Sequence, residues 1–290
     1  MNLWEHYSRP ATLAEAMKIF ASAPRPLLPI AGGTDLLLDL EQGRHAPVRT
    51  LVDVTAVAEL LAIEIRGNRL FIGAAASLTH LVDNPLVREH APALVDACGL
   101  IGGPQVRNVA TLGGNVAHAL PAADGTIALL ALDAHAEVAA PSGIREIELQ
   151  SLFLGPGKSS LSPGEDLLVG FHLPMRAVGQ SSAFRRIMRP QGVALPILNV
   201  AVWLSRIKDV VAAIRVAVGP GGPTPWRAQM VEQALTGRRF NIEARAAAEE
   251  ALRESVDFRT SRRRASSDYR RHLISGLVSE TLELAWRRAA

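Results

Sequence analysis

Cysteine occurs once in this chain, at Cys98. A lone thiol can form no intrachain disulfide, and it cannot supply the thiolate set of a zinc or iron–sulfur centre. Lysine is nearly absent as well: only Lys18, Lys158 and Lys208 stand among the 31 basic residues. Aromatic residues make up 4% of the chain, too few to interleave with positive charge as a single-stranded nucleic-acid surface requires. The formal net charge of +3 is itself too small to mark a nucleic-acid binder. No apolar run is long enough to span a bilayer. The opening "MNLWEHYSRP" lacks the basic-then-apolar pattern of a secretory signal, so the cytoplasm is the expected location. The phosphate-binding fingerprints GxGxxG and GxxxxGK followed by serine or threonine are both missing, which speaks against the ordinary dinucleotide and ATP-hydrolysing folds.

The chain does have the means to build a core. Its 290 residues are 48% hydrophobic and 20% charged, a globular composition with room for two or three packed units. "ATLAEAMKIFASAP" has apolar residues at helical spacing, with Thr12 as cap and Glu15 as its reciprocal partner. "LLPIAGG" predicts a short buried strand running into glycines, and "TDLLLDLEQG" a short helix stopped at Gly43. "TLVDVT" predicts another strand, and Gly67–Asn68 a hairpin turn. Helices are expected in "SLTHLVDNP" and "REHAPALVDACGLIG", with a break at Pro92. A helix, a strand and a turn at Ser142–Gly143 follow, then a strand from Leu167 to Leu173. Beyond Pro174 come antiparallel strands, and helices begin near Arg227. Pro196 predicts an edge or a bulge. These patterns divide the chain into units at 1–55, 56–174 and 175–290.

Two stretches pair glycines beside polar groups: "PIAGGTDLLLDL" from Pro29 and "TLGGNVAHALPAAD" from Thr111. Glycine after a buried strand permits close backbone approach, and consecutive amides there can converge on an anion. Two such loops suit an extended anionic ligand such as a pyrophosphate, although each is also consistent with a tight turn. Asp35 would repel such a ligand and is expected to cap local amides. Asp124 is equally consistent with accepting a ligand hydroxyl and with capping the helix "GTIALLAL". His80 and His118 carry no assigned role, and Cys98 is expected in the core. Arginines crowd Arg185, Arg186 and Arg189, and again Arg262, Arg263, Arg264, Arg270 and Arg271, the latter read as a solvated or subunit-facing helix surface.

Three motifs, "LLPIAGGTDLLLDL", "QVRNVATLGGNVAHALPAAD" and "SSDYRRHL", occur in one order along the chain. Together they resemble the FAD-binding medium subunit of the molybdenum hydroxylases, the family of aerobic carbon monoxide dehydrogenase and xanthine dehydrogenase. The resemblance implies an α+β fold: two α/β subdomains enclosing FAD, then a C-terminal antiparallel sheet with helices. It implies that Ala31, Gly32, Gly33, Thr34 and Asp35 lie on the FAD pyrophosphate and adjoining sugars, together with Leu112, Gly113, Gly114 and Asn115, and that Leu28, Pro29 and Ile30 also bind the cofactor. Thr111 would contact FAD through its hydroxyl, and Asp124 would bond a cofactor hydroxyl. Ile101 and Leu168 would give apolar contact near the isoalloxazine. Arg185 would place a positive charge near the flavin, where relatives often carry lysine, and so tune its potential. No catalytic acid or base and no metal site are implied in this chain.

The resemblance also implies partner chains. A large subunit would oxidise substrate at a molybdenum–pterin cofactor, and a small one would carry two 2Fe–2S clusters. The assembly would be a heterotrimer or its dimer, passing electrons through FAD to an external acceptor: NAD, oxygen, a quinone or another carrier. The single cysteine agrees with clusters held elsewhere. The alternative is a stand-alone FAD-dependent oxidoreductase with its own substrate pocket.

Overall fold

Thr12 starts the first helix as expected, its Oγ1 accepting from the Glu15 amide at 3.2 Å. The Glu15 carboxylate reaches back to the Ala11 amide at 2.9 Å, one residue before the usual capping-box partner. The structure, a computed structural model, describes residues 3–189, 195–261 and 264–290. Its first unit runs β1 (His6–Ser8), α1 (Leu13–Ser22), β2 (Leu27–Ile30), α2 (Leu36–Glu41) and β3 (Thr50–Asp53). The three strands form a parallel sheet in the order β1-β3-β2. Pro29 is tolerated because β2 is an edge strand, where a missing N–H breaks no ladder bond if it faces outward.

The second unit begins with α3 (Ala58–Leu61) and the hairpin of β4 (Ile63–Arg66) and β5 (Arg69–Gly73). Gly67 takes φ 61° at the first central turn position, which glycine adopts without cost. Six helices follow: α4 (Leu78–Asp83), α5 (Pro85–His90), α6 (Pro92–Leu100), α7 (Pro104–Val109), α8 (Leu112–Ala117) and α9 (Asp124–Ala131). Then come β6 (His135–Ala140), β7 (Gly143–Glu148), the small pair β8 (Phe153–Gly155) and β9 (Lys158–Ser159), and β10 (Leu167–Pro174). The sheet order β4-β5-β10-β6-β7 is antiparallel throughout.

The last unit is an antiparallel sheet of β11 (Gln180–Met188), β12 (Pro196–Ile207), β13 (Val210–Gly219) and β14 (Trp226–Arg227). Pro196 opens β12 where the register against β11 shifts, between Ile187 and Met188. Helices α10 (Gln229–Leu235), α11 (Ile242–Ser255) and α12 (Ser267–Arg288) complete the chain. The architecture is α+β, with two α/β subdomains and then an antiparallel sheet with helices.

Two sides of the C-terminal sheet do different work. Ala183, Val200, Val202 and Val218 pack with α10, α11 and α12. The alternate residues Phe184, Ala201 and Ala217 join the core of the second unit. Between these bodies lies α9, every one of whose residues is buried. A helix apolar all round belongs in such a place. No helix among the described residues is long and apolar enough to cross a membrane.

Candidate functional site

The first glycine pair sits at the C-terminal end of β2. Gly33 has φ 66°, the left-handed region that favours glycine. Gly32 is glycine for a different reason: a Cβ there would lie 2.1 Å from the Val109 carbonyl oxygen. This contact presses the first loop against the segment leading into the second. Among the described residues, the amides of Gly32, Gly33, Thr34, Asp35 and Leu36 donate to no protein acceptor. Consecutive unpaired amides at the start of a helical turn form a cradle for an anion.

Asp35 does not cap them. It occupies the N-cap position of α2 with helical backbone (φ −101°, ψ −49°) and makes no side-chain cap bond. A carboxylate cap needs extended backbone to fold its oxygen back on the following amides, so the exposed Asp35 side chain points away from that task.

The second glycine pair is helical rather than a loop. Thr111 is the N-cap of α8, and its Oγ1 accepts from the Gly114 amide at 3.1 Å. The Leu112 and Gly113 amides bond the carbonyls of Ala76 and Ala74. Gly113 must lack a Cβ because one would meet Ala74 Cβ at 2.6 Å. The amides here are therefore spent, and the second motif offers a surface instead. Gly114 is exposed, and a Cβ on it would find only the Thr111 hydroxyl, at 3.2 Å. Thr111→Val should cost about 1 kcal/mol of stability through loss of this cap, while Thr111→Ser should retain the parent's value; chemical denaturation of the two variants measures the difference.

Asn115 follows on α8, its Oδ1 accepting from the Thr126 amide at 3.2 Å. That bond ties α8 to the start of α9, where Asp124 sits. Asp124 does not cap α9; the cap position is Ala123. Its carboxylate is 4% exposed and enters two strong bonds. Asn199 Nδ2 on β12 donates to Oδ1 at 2.6 Å, and Arg186 Nη1 on β11 donates to Oδ2 at 2.5 Å. Burial dominates and holds the Asp124 carboxyl above its ordinary range, against the opposing pull of the Arg186 charge and of the bonds from Asn199 and Arg186. Arg186 also donates through Nη2 to the Leu100 carbonyl at 2.6 Å. Leu100 ends α6, directly before Ile101.

The half-buried Ile101 packs against the core cluster that contains the buried Leu168. The Ile101 turn is further held by Arg107 Nη1, which donates to the carbonyls of Ile101 (3.2 Å) and Gly102 (2.7 Å). Leu28, Pro29 and Ile30 form the end of β2, and Ala31 follows it into the first cradle. The structure thus brings the two glycine motifs, Asn115, Asp124 and the Ile101 turn into one neighbourhood.

Arg185 is not among them. It pairs with Val200, and its neighbours on that side of the sheet face α11 and α12. Arg186, opposite Asn199, is the arginine on the Asp124 side. Strand alternation sends adjacent residues to opposite faces, so the two arginines serve opposite sides of the sheet.

Other expectations resolve simply. Cys98 is fully buried, and burial pushes its thiol up, as for an inert core cysteine. His80 is exposed on α4, and His118 closes α8 as its C-cap residue. The second arginine cluster is not simply a surface. Arg270 is 3% exposed, and its Nε donates to the Ile197 carbonyl at 3.2 Å. Arg271 is exposed beside Asp257 and Asp268, while Arg262 and Arg263 lie outside the described residues.

Comparison with known proteins gives this neighbourhood its family. Residues 3–176 match the FAD binding domain in molybdopterin dehydrogenase, and residues 182–285 match the CO dehydrogenase flavoprotein C-terminal domain. The xanthine dehydrogenase FAD-binding subunit of Escherichia coli O157:H7 is 35% identical over 283 residues, covering 96% of this chain and 95% of that protein. The carbon monoxide dehydrogenase medium chain of Hydrogenophaga pseudoflava is 30% identical over 285 residues, 98% of each. A chain of the solved H. pseudoflava carbon monoxide dehydrogenase, in a form lacking the Mo-pyranopterin moiety, superposes with a TM-score of 0.91 at 29% identity, covering 99% of this chain and 98% of that one. Quinoline 2-oxidoreductase from Pseudomonas putida 86 gives 0.89 at 26% identity over 98% of each chain. With both halves of the sequence matched and this identity sustained from end to end, the chain belongs to the molybdopterin dehydrogenase and carbon monoxide dehydrogenase flavoprotein family, as one of its FAD-binding medium subunits.

Proposed function

We propose that this chain carries FAD as the electron-transfer subunit of a multi-subunit molybdenum-dependent hydroxylase or dehydrogenase. The observation that carries this reading is the run of free amides from Gly32 to Leu36, in a segment that matches an FAD-binding domain. Five donors without protein acceptors fit a pyrophosphate, and the uncovered face of Gly114 lets its sugars lie close to the backbone. The amide nitrogen of Asn115 and the remaining lone pairs of Asp124 suit the hydroxyls of an extended sugar-alcohol chain. When bound, FAD supplies a carrier that takes electrons from one partner and releases them to another.

The protein's own work is binding and orientation. Gly32 and Gly33 hold the amide cradle open. Thr111 fixes the turn that presents Gly114. Ile101 and Leu168 give apolar walls and help exclude water. No acid–base role falls to this chain.

The partners follow from the family: two 2Fe–2S clusters would lie in a small partner subunit, with molybdenum–pterin and the substrate site in a large one, and the single buried cysteine of this chain agrees with clusters held elsewhere. The heterotrimer, its cytoplasmic location and an external electron acceptor belong to the same proposal.

Purification through a tag on this chain, from the host that makes it, tests the proposal with flavin, iron and molybdenum analysis. Two co-purifying chains bearing iron and molybdenum, with flavin on this one, are expected. A yellow protein without partners that reduces its own substrate would overturn the electron-transfer role in favour of a stand-alone flavoenzyme.

A further inference from the structure

We infer that Arg186 and Asn199 are positioning residues for the cofactor, favouring the carboxylate form of Asp124 and aiming it so that the C-terminal sheet completes the FAD site. This inference rests on the FAD reading above.

The geometry begins in the register of β11 and β12. Arg186 and Asn199 stand directly opposite one another. Their side chains meet the same carboxylate, one on each oxygen. A protonated acid would turn its O–H toward one of these donors, so the ionised form is the one that fits. Two of the roughly four lone-pair sites of a carboxylate are used in this way. The others remain for hydroxyl donors.

Each positioning residue is itself fixed. Asn199 Nδ2 also donates to the Ala122 carbonyl at 3.0 Å, just before α9. Gly219 lies so close to Asn199 that a Cβ would sit 2.3 Å from Oδ1. Arg186 spans from Asp124 to the Leu100 carbonyl, so one guanidinium sets both the acid and the turn bearing Ile101. Its side chain is 6% exposed. The planar fork of arginine suits such a double attachment better than the point charge of lysine. Arg186 Nε is buried and finds no acceptor among the described residues. Asn199 Oδ1 is likewise buried with no donor among the described residues.

Few charges compete for control of Asp124. Arg186 faces it from β11, and the Cys98 thiol from α6. Asp96 on α6 is taken by Arg288 at 2.6 Å. β12 and α8 present the neutral Asn199 and Asn115. Arg215 of β13 pairs with Asp133 beyond the far end of α9, at 2.9 Å, and Arg227 of β14 pairs with Glu232 at 2.7 Å. Without Arg186, Asp124 would be a buried acid with no adjacent cation. Burial then favours the neutral form, and a proton is taken up nearer neutrality.

The test is FAD titration of the full-length apoprotein, followed by quenching of flavin fluorescence between about pH 6 and about pH 9. The parent should bind with little pH dependence. Arg186→Met should bind at least about tenfold more weakly at the acid end than at the alkaline end, as Asp124 protonates. Asp124→Asn/Arg186→Met should lose that pH dependence, since no acid is left to titrate. Arg186→Lys should restore most of the parent's flat profile, because it returns the cation. Asn199→Leu removes the other donor and should give the same sign of pH dependence at smaller amplitude; it also carries the test if Arg186→Met fails to fold. Parent-like flat profiles in Arg186→Met and Asn199→Leu, with the parent binding FAD, would overturn the positioning role alone. A parent that binds no FAD would overturn the cofactor reading and this inference together.

Discussion

Gly32→Ala should destabilise the protein by about 3 kcal/mol, whereas Gly114→Leu should leave stability within about 1 kcal/mol of the parent. The added methyl at Gly32 would meet the Val109 carbonyl oxygen at 2.1 Å, its carbon at 2.6 Å and Ala110 Cα at 2.8 Å. All three are backbone atoms, and none can rotate away. Relief requires the first loop to move off the segment that leads into α8, which opens the site as well as the fold. At Gly114 the new side chain projects outward, and only the Thr111 hydroxyl must give slightly. Leucine also gains helix propensity over glycine there. Yet Gly114→Leu should raise the FAD dissociation constant by at least about 100-fold, close to 2.7 kcal/mol, because it fills the face the cofactor uses. Thermal unfolding and FAD titration of the two variants separate the roles. Normal FAD affinity in a folded Gly114→Leu would remove the second motif from the cofactor site.

This difference between two glycines was not legible in the sequence. "AGGTD" and "TLGGN" look alike as strings, and glycine's poor helix propensity argues for loops in both. Tertiary contacts override propensity in the second. Leu112 and Val116 are buried, Thr111 caps the turn, and Gly113 must pack on Ala74. What could be read was the existence of the strand, helix and hairpin elements, because periodicity and turn chemistry are local. The Arg270 burial was partly legible. Arg270, Ile274, Leu277, Val278 and Thr281 follow helical spacing and form the buried face of α12. The arginine run hid that pattern. The arginine that meets Asp124 carried no separate signal: in β11 a shift of one residue changes the face, so Arg186 and not its neighbour Arg185 reaches the carboxylate. Asn199 carried a usable signal: one amide inside "LPILNVAVWLS" must find a buried partner. Which partner it finds depends on how α9 lies across β12, and no local pattern encodes that.

The same buried pair gives the second large effect, measured without cofactor. Asp124→Leu should lower the stability of the apoprotein by about 3–5 kcal/mol. The cost does not come chiefly from the lost attraction. It comes from leaving the Arg186 guanidinium, whose side chain is 6% exposed, with the Leu100 carbonyl and the Met188 sulfur as its partners and no counter-charge. Asn199 suffers less, because its amide still has the Ala122 carbonyl. The double variant Asp124→Leu/Arg186→Met removes both charges and replaces them with apolar groups of similar length. It should recover most of the loss, since a buried ion pair replaced as a unit is often close to neutral in stability. The coupling energy from the four-protein cycle should then be about 2–3 kcal/mol, read from urea unfolding at one pH. A loss below about 1 kcal/mol in the single variant would mean that water reaches the pair as it reaches a surface salt bridge. Recovery in the double variant together with loss of FAD binding would separate the two duties of Asp124: the fold can do without the pair, and the cofactor site cannot.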